Sequence, residues 1–125
     1  MSKMICFDMD GTIVDLYGVD GWCEKINAGD VSPYREAKPL YDIDELNTVL
    51  MALSNAGWEI RVISWLSKHG SKEYNQAVRF AKREWLLKYH FPVDKVHLIA
   101  YGTTKADCVR KIAHPAVLID DNAKV

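Results

Sequence analysis

The stretch Ile5-Cys6-Phe7-Asp8-Met9-Asp10-Gly11-Thr12-Ile13-Val14-Asp15 is an apolar run cut off by two carboxylates and a turn. A short apolar run closed by glycine reads as a buried strand. Side chains alternate along a strand, so Asp8 and Asp10 point to the same side. Two carboxylates held together at a strand end repel unless a cation or a shared proton offsets them. That cost points to a site. Asp and Gly are also ordinary turn residues, so a solvated strand-to-turn junction fits the same letters. The rest of the chain decides between the two.

Working outward, the segment from Leu16 to Tyr41 is punctuated by Gly18, Gly21, Gly29, Pro33 and Pro39. Asp20 is placed to cap a short helix over about 21–28, and Asp30–Tyr41 reads as loop. Leu46, Val49, Leu50 and Leu53 then fall at helical spacing behind Asp42 or Asp44, and Gly57 stops that helix. Trp58–Ser64 alternates and is rich in β-branched residues, which predicts a second strand ending in the Ser64 hydroxyl. A polar loop leads to the longest helix, Glu73–Tyr89. Tyr74, Ala77, Val78, Ala81, Trp85 and Tyr89 form its apolar face, and Arg79, Lys82, Arg83 and Lys88 form a basic face expected to be solvated. Val96–Ala100 is a third strand. Lys105–Ile112 is a short helix, and Ala116–Ile119 is a fourth apolar run ending in Asp120-Asp121. Strands alternating with helices predict an α/β fold: a Rossmann-like, doubly wound parallel sheet with helices on both faces. The whole chain, 1–125, is expected to be a single domain, with a small lid insertion at about 16–41 after the first strand.

Composition agrees with a globular domain. The chain has 125 residues, 49% hydrophobic and 26% charged, with a formal net charge of -1. That balance provides no basic field for nucleic acid. No stretch is long and apolar enough for a membrane span, and no signal-peptide pattern precedes the first strand. The three cysteines, Cys6, Cys23 and Cys108, lack metal-ligand or paired spacing, which suits reduced thiols in the cytoplasm.

Parallel strands present their carboxyl ends on one edge, where ligands bind. Asp8, Asp10, Ser64, Lys105, Asp120 and Asp121 are all expected there. Clustered carboxylates suit Mg²⁺ completed by substrate phosphate, and a hydroxyl and an ammonium suit a phosphoryl group. One carboxylate can attack phosphorus and the other can move protons.

On these residues the chain resembles the haloacid dehalogenase-like superfamily of phosphohydrolases. The matching elements, in order, are Asp8-Met-Asp-Gly-Thr, Ser64 after an apolar strand, Lys105, and Asp120-Asp121 after another apolar run. The resemblance spans Met4 to Asn122 but leaves the segment after Asp15 without a motif. It implies Asp8 as nucleophile and Mg²⁺ ligand. Asp10 becomes general acid/base and lends its carbonyl to the metal. Thr12 belongs to a flap over the site, Ser64 binds phosphoryl oxygens, and Lys105 orients the phosphate. Asp121 is expected as a direct ligand with Asp120 behind it, paired with Lys105; the reverse order stays open. A response-regulator receiver domain uses similar residues, but there the acidic pair comes first.

Family members often carry a cap between the first two motifs, and here there is room only for a small lid. Within the superfamily the chain is similar to small 5'(3')-deoxyribonucleotidases. That likeness implies a small phosphorylated substrate such as a nucleotide. Trp65, Trp22, Tyr34 or Tyr41 would stack on a base, and Arg35 would meet a phosphate or base edge. Family members also continue past the acidic pair with a helix and a strand. The expectation is therefore a shortened fold with a sheet edge beside the fourth strand open to pairing with another chain. Two functions follow: a Mg²⁺-dependent phosphatase working through an aspartyl-phosphate, or a regulatory binding protein that keeps the fold without turnover.

Overall fold

The computed structural model describes residues 3–68, 70–105 and 116–119. Four strands form a parallel sheet: β1 (Lys3–Phe7), β4 (Trp58–Trp65), β5 (Lys95–Ile99) and β6 (Ala116–Ile119), in the order β5-β4-β1-β6. Strands β1 and β4 are paired on both sides, which explains their near-continuous apolar runs. In register, Phe7 lies between Val62 and Ile119. The sheet therefore ends in step at β1 and β6, while β4 runs on to Trp65, one residue past the expected Ser64.

From β1 the chain builds β4 and β5 on one side, and β6 then lies on the other. This reversal of strand order falls between β1 and β6, next to Asp8. A crevice outside the strand ends is expected at such a point. The Asp8 amide donates to the Ile119 carbonyl at 2.9 Å, which extends the pairing one residue past β1.

Helices α3 (Ile43–Asn55) and α4 (Lys72–Lys88) pack on one face of the sheet. Leu50, Trp85 and Leu86 meet Phe7, Ile60 and Val62 in the main core. Asp42 caps α3, accepting from the amides of Asp44 and Glu45, and Ser71 caps α4 through the Tyr74 amide. Met4, Cys6 and Ile63 are buried on the opposite face with Ile99 and Leu118. The helix expected over Lys105–Ile112, and with it the cover of that face, lies outside the described residues.

The insertion after β1 has more structure than the sequence suggests. It leaves through β2 (Val14–Asp15) and returns through β3 (Lys38–Pro39), an antiparallel pair that stitches its two ends together. Between them lie α1 (Trp22–Asn27) and α2 (Ser32–Glu36), the latter within a stretch expected to be loop. Proline in the first turn of α2 replaces an amide that no helix bond needs. Asp20 does not cap α1: that place is taken by Gly21, at φ 68°. No side chain of α1 is fully buried.

The insertion is fastened to α4. Leu16 and Tyr34 pack with Leu66, Val78 and Ala81 in a small core of their own. The Tyr74 hydroxyl donates to the Asp30 carbonyl at 2.9 Å, and buried Trp85 Nε1 donates to the Ala37 carbonyl at 2.8 Å. A buried carbonyl left unpaired costs about 1–3 kcal/mol. Trp85→Phe should therefore lower the unfolding free energy by at least about 1 kcal/mol, measured by denaturant titration. An unchanged midpoint would show that this bond does not fasten the insertion.

Candidate active site

The turn after β1 aims the first two carboxylates. The Met9 carbonyl accepts from the amides of Thr12, Ile13 and Val14 at 2.9–3.1 Å, and Gly11 N–H donates to the Val14 carbonyl at 2.9 Å. Gly11 takes φ 82°, a left-handed conformation that costs glycine little and other residues more. The tight loop ends the strand and leaves Asp8 and Asp10 beside one open cleft of about 640 Å³. Ser64, Trp65 and Lys105 line the same cleft.

Each carboxylate has its own ammonium. Lys105 Nζ is 3.0 Å from Asp8 Oδ1, and both side chains are buried. The ammonium also lies 4.6 Å from the centre of the Trp65 ring. Trp65 is held in turn by its Nε1, which donates to the Thr103 carbonyl at 2.7 Å, and by Tyr101 at a centroid distance of 4.9 Å. This packing fixes the segment leading to Lys105 against the end of β4.

The second ammonium is Lys82, on α4. The sequence places it on a solvated basic face; in the structure it is 1% exposed. Its Nζ donates to Asp10 Oδ2 at 2.8 Å, Ser64 Oγ at 2.7 Å and the Trp65 carbonyl at 2.9 Å. It lies 5.2 Å from the centre of the Tyr34 ring. Arg79, Arg83 and Lys88 are exposed as expected. The position of Lys82 held the missing signal. It lies four residues after Val78 and three before Trp85, on the apolar stripe rather than opposite it. Burial, with the Asp10 charge adding to it, pushes the Tyr34 phenol well above the usual tyrosine range, so Tyr34 stays neutral over the working range of pH.

The other expected residues divide. Trp22 and Tyr34 line the cleft, with Tyr17, Tyr74, Lys68 and Tyr101, none of which sequence reasoning had placed at phosphate chemistry. Trp22 meets Tyr17 edge to face at 4.9 Å. Arg35 is exposed near the end of α2 and does not line the cleft, nor does Tyr41, which is 65% exposed. Thr12 is a buried residue of the turn itself and does not line the cleft, and its Oγ1 has no hydrogen-bond partner among the described residues. Asp120, Asp121 and His69 lie outside the described residues.

The donor set bears on a metal. Asp8 and Asp10 supply two carboxylates, and among the described residues no third His, Cys, Asp or Glu joins them. The chain leaves β6 beside Asp8, so the strand that precedes Asp120 ends at the same edge. Hard oxygen donors of this kind fit Mg²⁺. Among the described residues, Asp8 and the Asp10 carbonyl could hold such an ion.

The comparisons with known proteins bear on the fold. No family profile matches the chain. No curated protein sequence matches it either. Among solved structures it resembles a chain in the Pnkp1/Rnl/Hen1 RNA repair complex, with a TM-score of 0.61 and 19% identity. The likeness covers 100% of this chain and 38% of that one, so this chain spans well under half its length. At that identity the shared property is the α/β parallel-sheet fold. Among the described residues, no helix is long and apolar enough to cross a membrane.

The Asp8–Lys105 pair makes a thermodynamic prediction. Removing one partner of a buried ion pair leaves the other charge less compensated, at a cost of up to about 3–5 kcal/mol. Lys105→Met should destabilise the protein by that order in the presence of a chelator. Adding Asp8→Asn to the Lys105→Met protein should restore part of the loss, because the stranded charge is gone. Denaturant titration of both proteins checks the sign; a further loss in the double variant would contradict it.

Proposed function

We propose that this chain is a Mg²⁺-dependent phosphomonoester hydrolase of the haloacid dehalogenase-like type, working through an aspartyl-phosphate on Asp8. One observation carries the reading. The buried Asp8 carboxylate stands at the crevice beside the β1–β6 junction, ion-paired to Lys105, with Asp10 and Ser64 on the same cleft.

In this mechanism an Asp8 carboxylate oxygen attacks phosphorus, and the bond from phosphorus to the ester oxygen breaks. Asp10, which enters the cycle protonated on the oxygen that Lys82 does not hold, gives that proton to the leaving oxygen, releasing the alcohol. Asp10 then takes a proton from water as the water oxygen attacks phosphorus. The acyl phosphate opens, inorganic phosphate leaves and the Asp8 carboxylate is restored. Lys105 holds Asp8 and balances the charge added on the phosphoryl oxygens, while Ser64 donates to one of them.

The cleft supports a substrate with an aromatic portion. Trp65 and Tyr101 line it from the sheet side, and Tyr17 and Trp22 from the insertion. Such surfaces stack on nucleobases. A nucleotide is the proposed substrate class, and the fold shared with a chain of an RNA repair complex adds a terminal phosphate on a polynucleotide to the panel.

Purified protein should release phosphate from a generic aryl phosphate and from nucleoside monophosphates with Mg²⁺, and lose that activity to a chelator. Asp8→Asn should lower kcat by at least about a thousandfold. Equal activity in Asp8→Asn would remove Asp8 as nucleophile, and equal rates on sugar phosphates and nucleotides would remove the nucleotide assignment.

A further inference from the structure

We infer that Lys82 is a positioning residue for the phosphatase chemistry: it sets which oxygen of Asp10 moves protons and which way the Ser64 hydroxyl donates. The inference rests on the function proposed above and extends it to a helix that carries none of the sequence motifs.

An ammonium has three N–H donors. Those of Lys82 have three acceptors in range, Asp10 Oδ2, Ser64 Oγ and the Trp65 carbonyl, all within 2.9 Å. With its donors used, Lys82 has none to offer substrate, so it acts through its neighbours. Two consequences follow. Asp10 has one oxygen fixed, and Oδ1 accepts no hydrogen bond from the described residues. The proton in transit therefore belongs on Oδ1. Ser64 Oγ is an acceptor toward Lys82, so its single O–H hydrogen must point elsewhere. Ser64 lines the cleft, where a phosphoryl oxygen is the natural acceptor.

The environment makes this a fixed device. The ammonium is 1% exposed, and Tyr34 from the insertion covers it at 5.2 Å. A buried charge tolerates little displacement from its partners, because each lost hydrogen bond leaves it undersolvated. Asp10 comes from the turn after β1, Ser64 from the end of β4, and Lys82 from the middle of α4. One ammonium thus ties the proton carrier and the phosphate donor to the helix on which the insertion rests.

The test compares wild type, Lys82→Ala and Lys82→Met on the best substrate found in the panel, with Mg²⁺ fixed and the folded state followed by circular dichroism. Misplacing a reacting group by about 1 Å costs on the order of a hundredfold. Both folded variants should lose about a hundredfold in kcat with KM within about threefold of wild type. Ethylamine or propylamine should restore Lys82→Ala in a saturable way, and the uncharged alcohols of the same length should not. Wild-type kcat in either folded variant would overturn the inference, as would equal rescue by alcohol and amine. Failure of both variants to fold, with no amine-dependent recovery, would assign Lys82 to the scaffold alone. Wild type inactive on every phosphomonoester overturns the proposed function and this inference with it. Asp8-dependent activity that ignores Lys82 overturns this inference only.

Discussion

The buried ammonium of Lys82 needs acceptors, and much of the structure is arranged to supply them. Burying a charge without partners is costly enough that α4 can seat Lys82 only if the turn after β1 and the end of β4 arrive together. They do so through Asp10, Ser64 and the Trp65 carbonyl. The insertion then has a surface to rest on. Tyr34 lies over the ammonium, Leu16 and Tyr34 pack against Val78 and Ala81, and Trp85 Nε1 holds the Ala37 carbonyl. The insertion therefore forms a wall of the cleft, packed on the helix that organises its floor.

The same interaction changes the electrostatic account of the Asp-Met-Asp stretch. Two carboxylates at a strand end need compensation, and from sequence a shared metal is the obvious source. In the structure each carboxylate also has an ammonium within reach, Lys105 at Asp8 and Lys82 at Asp10. The two ion pairs differ in surroundings. Lys105 packs on Trp65 at the cleft, whereas Lys82 sits beneath Tyr34 in the core between α4 and the insertion.

The parts of the fold that sequence could reach are those set by local pattern. The apolar runs at Met4, Trp58, Val96 and Ala116 became strands, because β-branched and apolar runs between turn residues have few other uses. The alignment of Asp8, Asp10, Ser64 and Lys105 at one edge followed from parallel topology. What escaped was tertiary in origin. Helix α2 is short and depends on Tyr34 being buried against α4, which no local pattern in Asp30–Tyr41 announces. Lys82 was hidden among Arg79, Arg83 and Lys88, although its spacing from Val78 and Trp85 puts it on the buried side. Arg35 had the right chemistry for phosphate but sits on the outward side of α2, away from the cleft. Side-chain type says what a residue can do; only packing says what it can reach.

The most direct measurement of the account is to trap the phosphoryl group. Protein mixed with a reactive phosphomonoester and Mg²⁺, quenched in acid within the first turnovers and digested, should carry one phosphoryl group on the peptide containing Asp8. That adduct should be labile to hydroxylamine, as an acyl phosphate is, and absent from Asp8→Asn. Steady phosphate release with no adduct under any quench time, or an adduct on a peptide lacking Asp8, would contradict the central role assigned to that carboxylate.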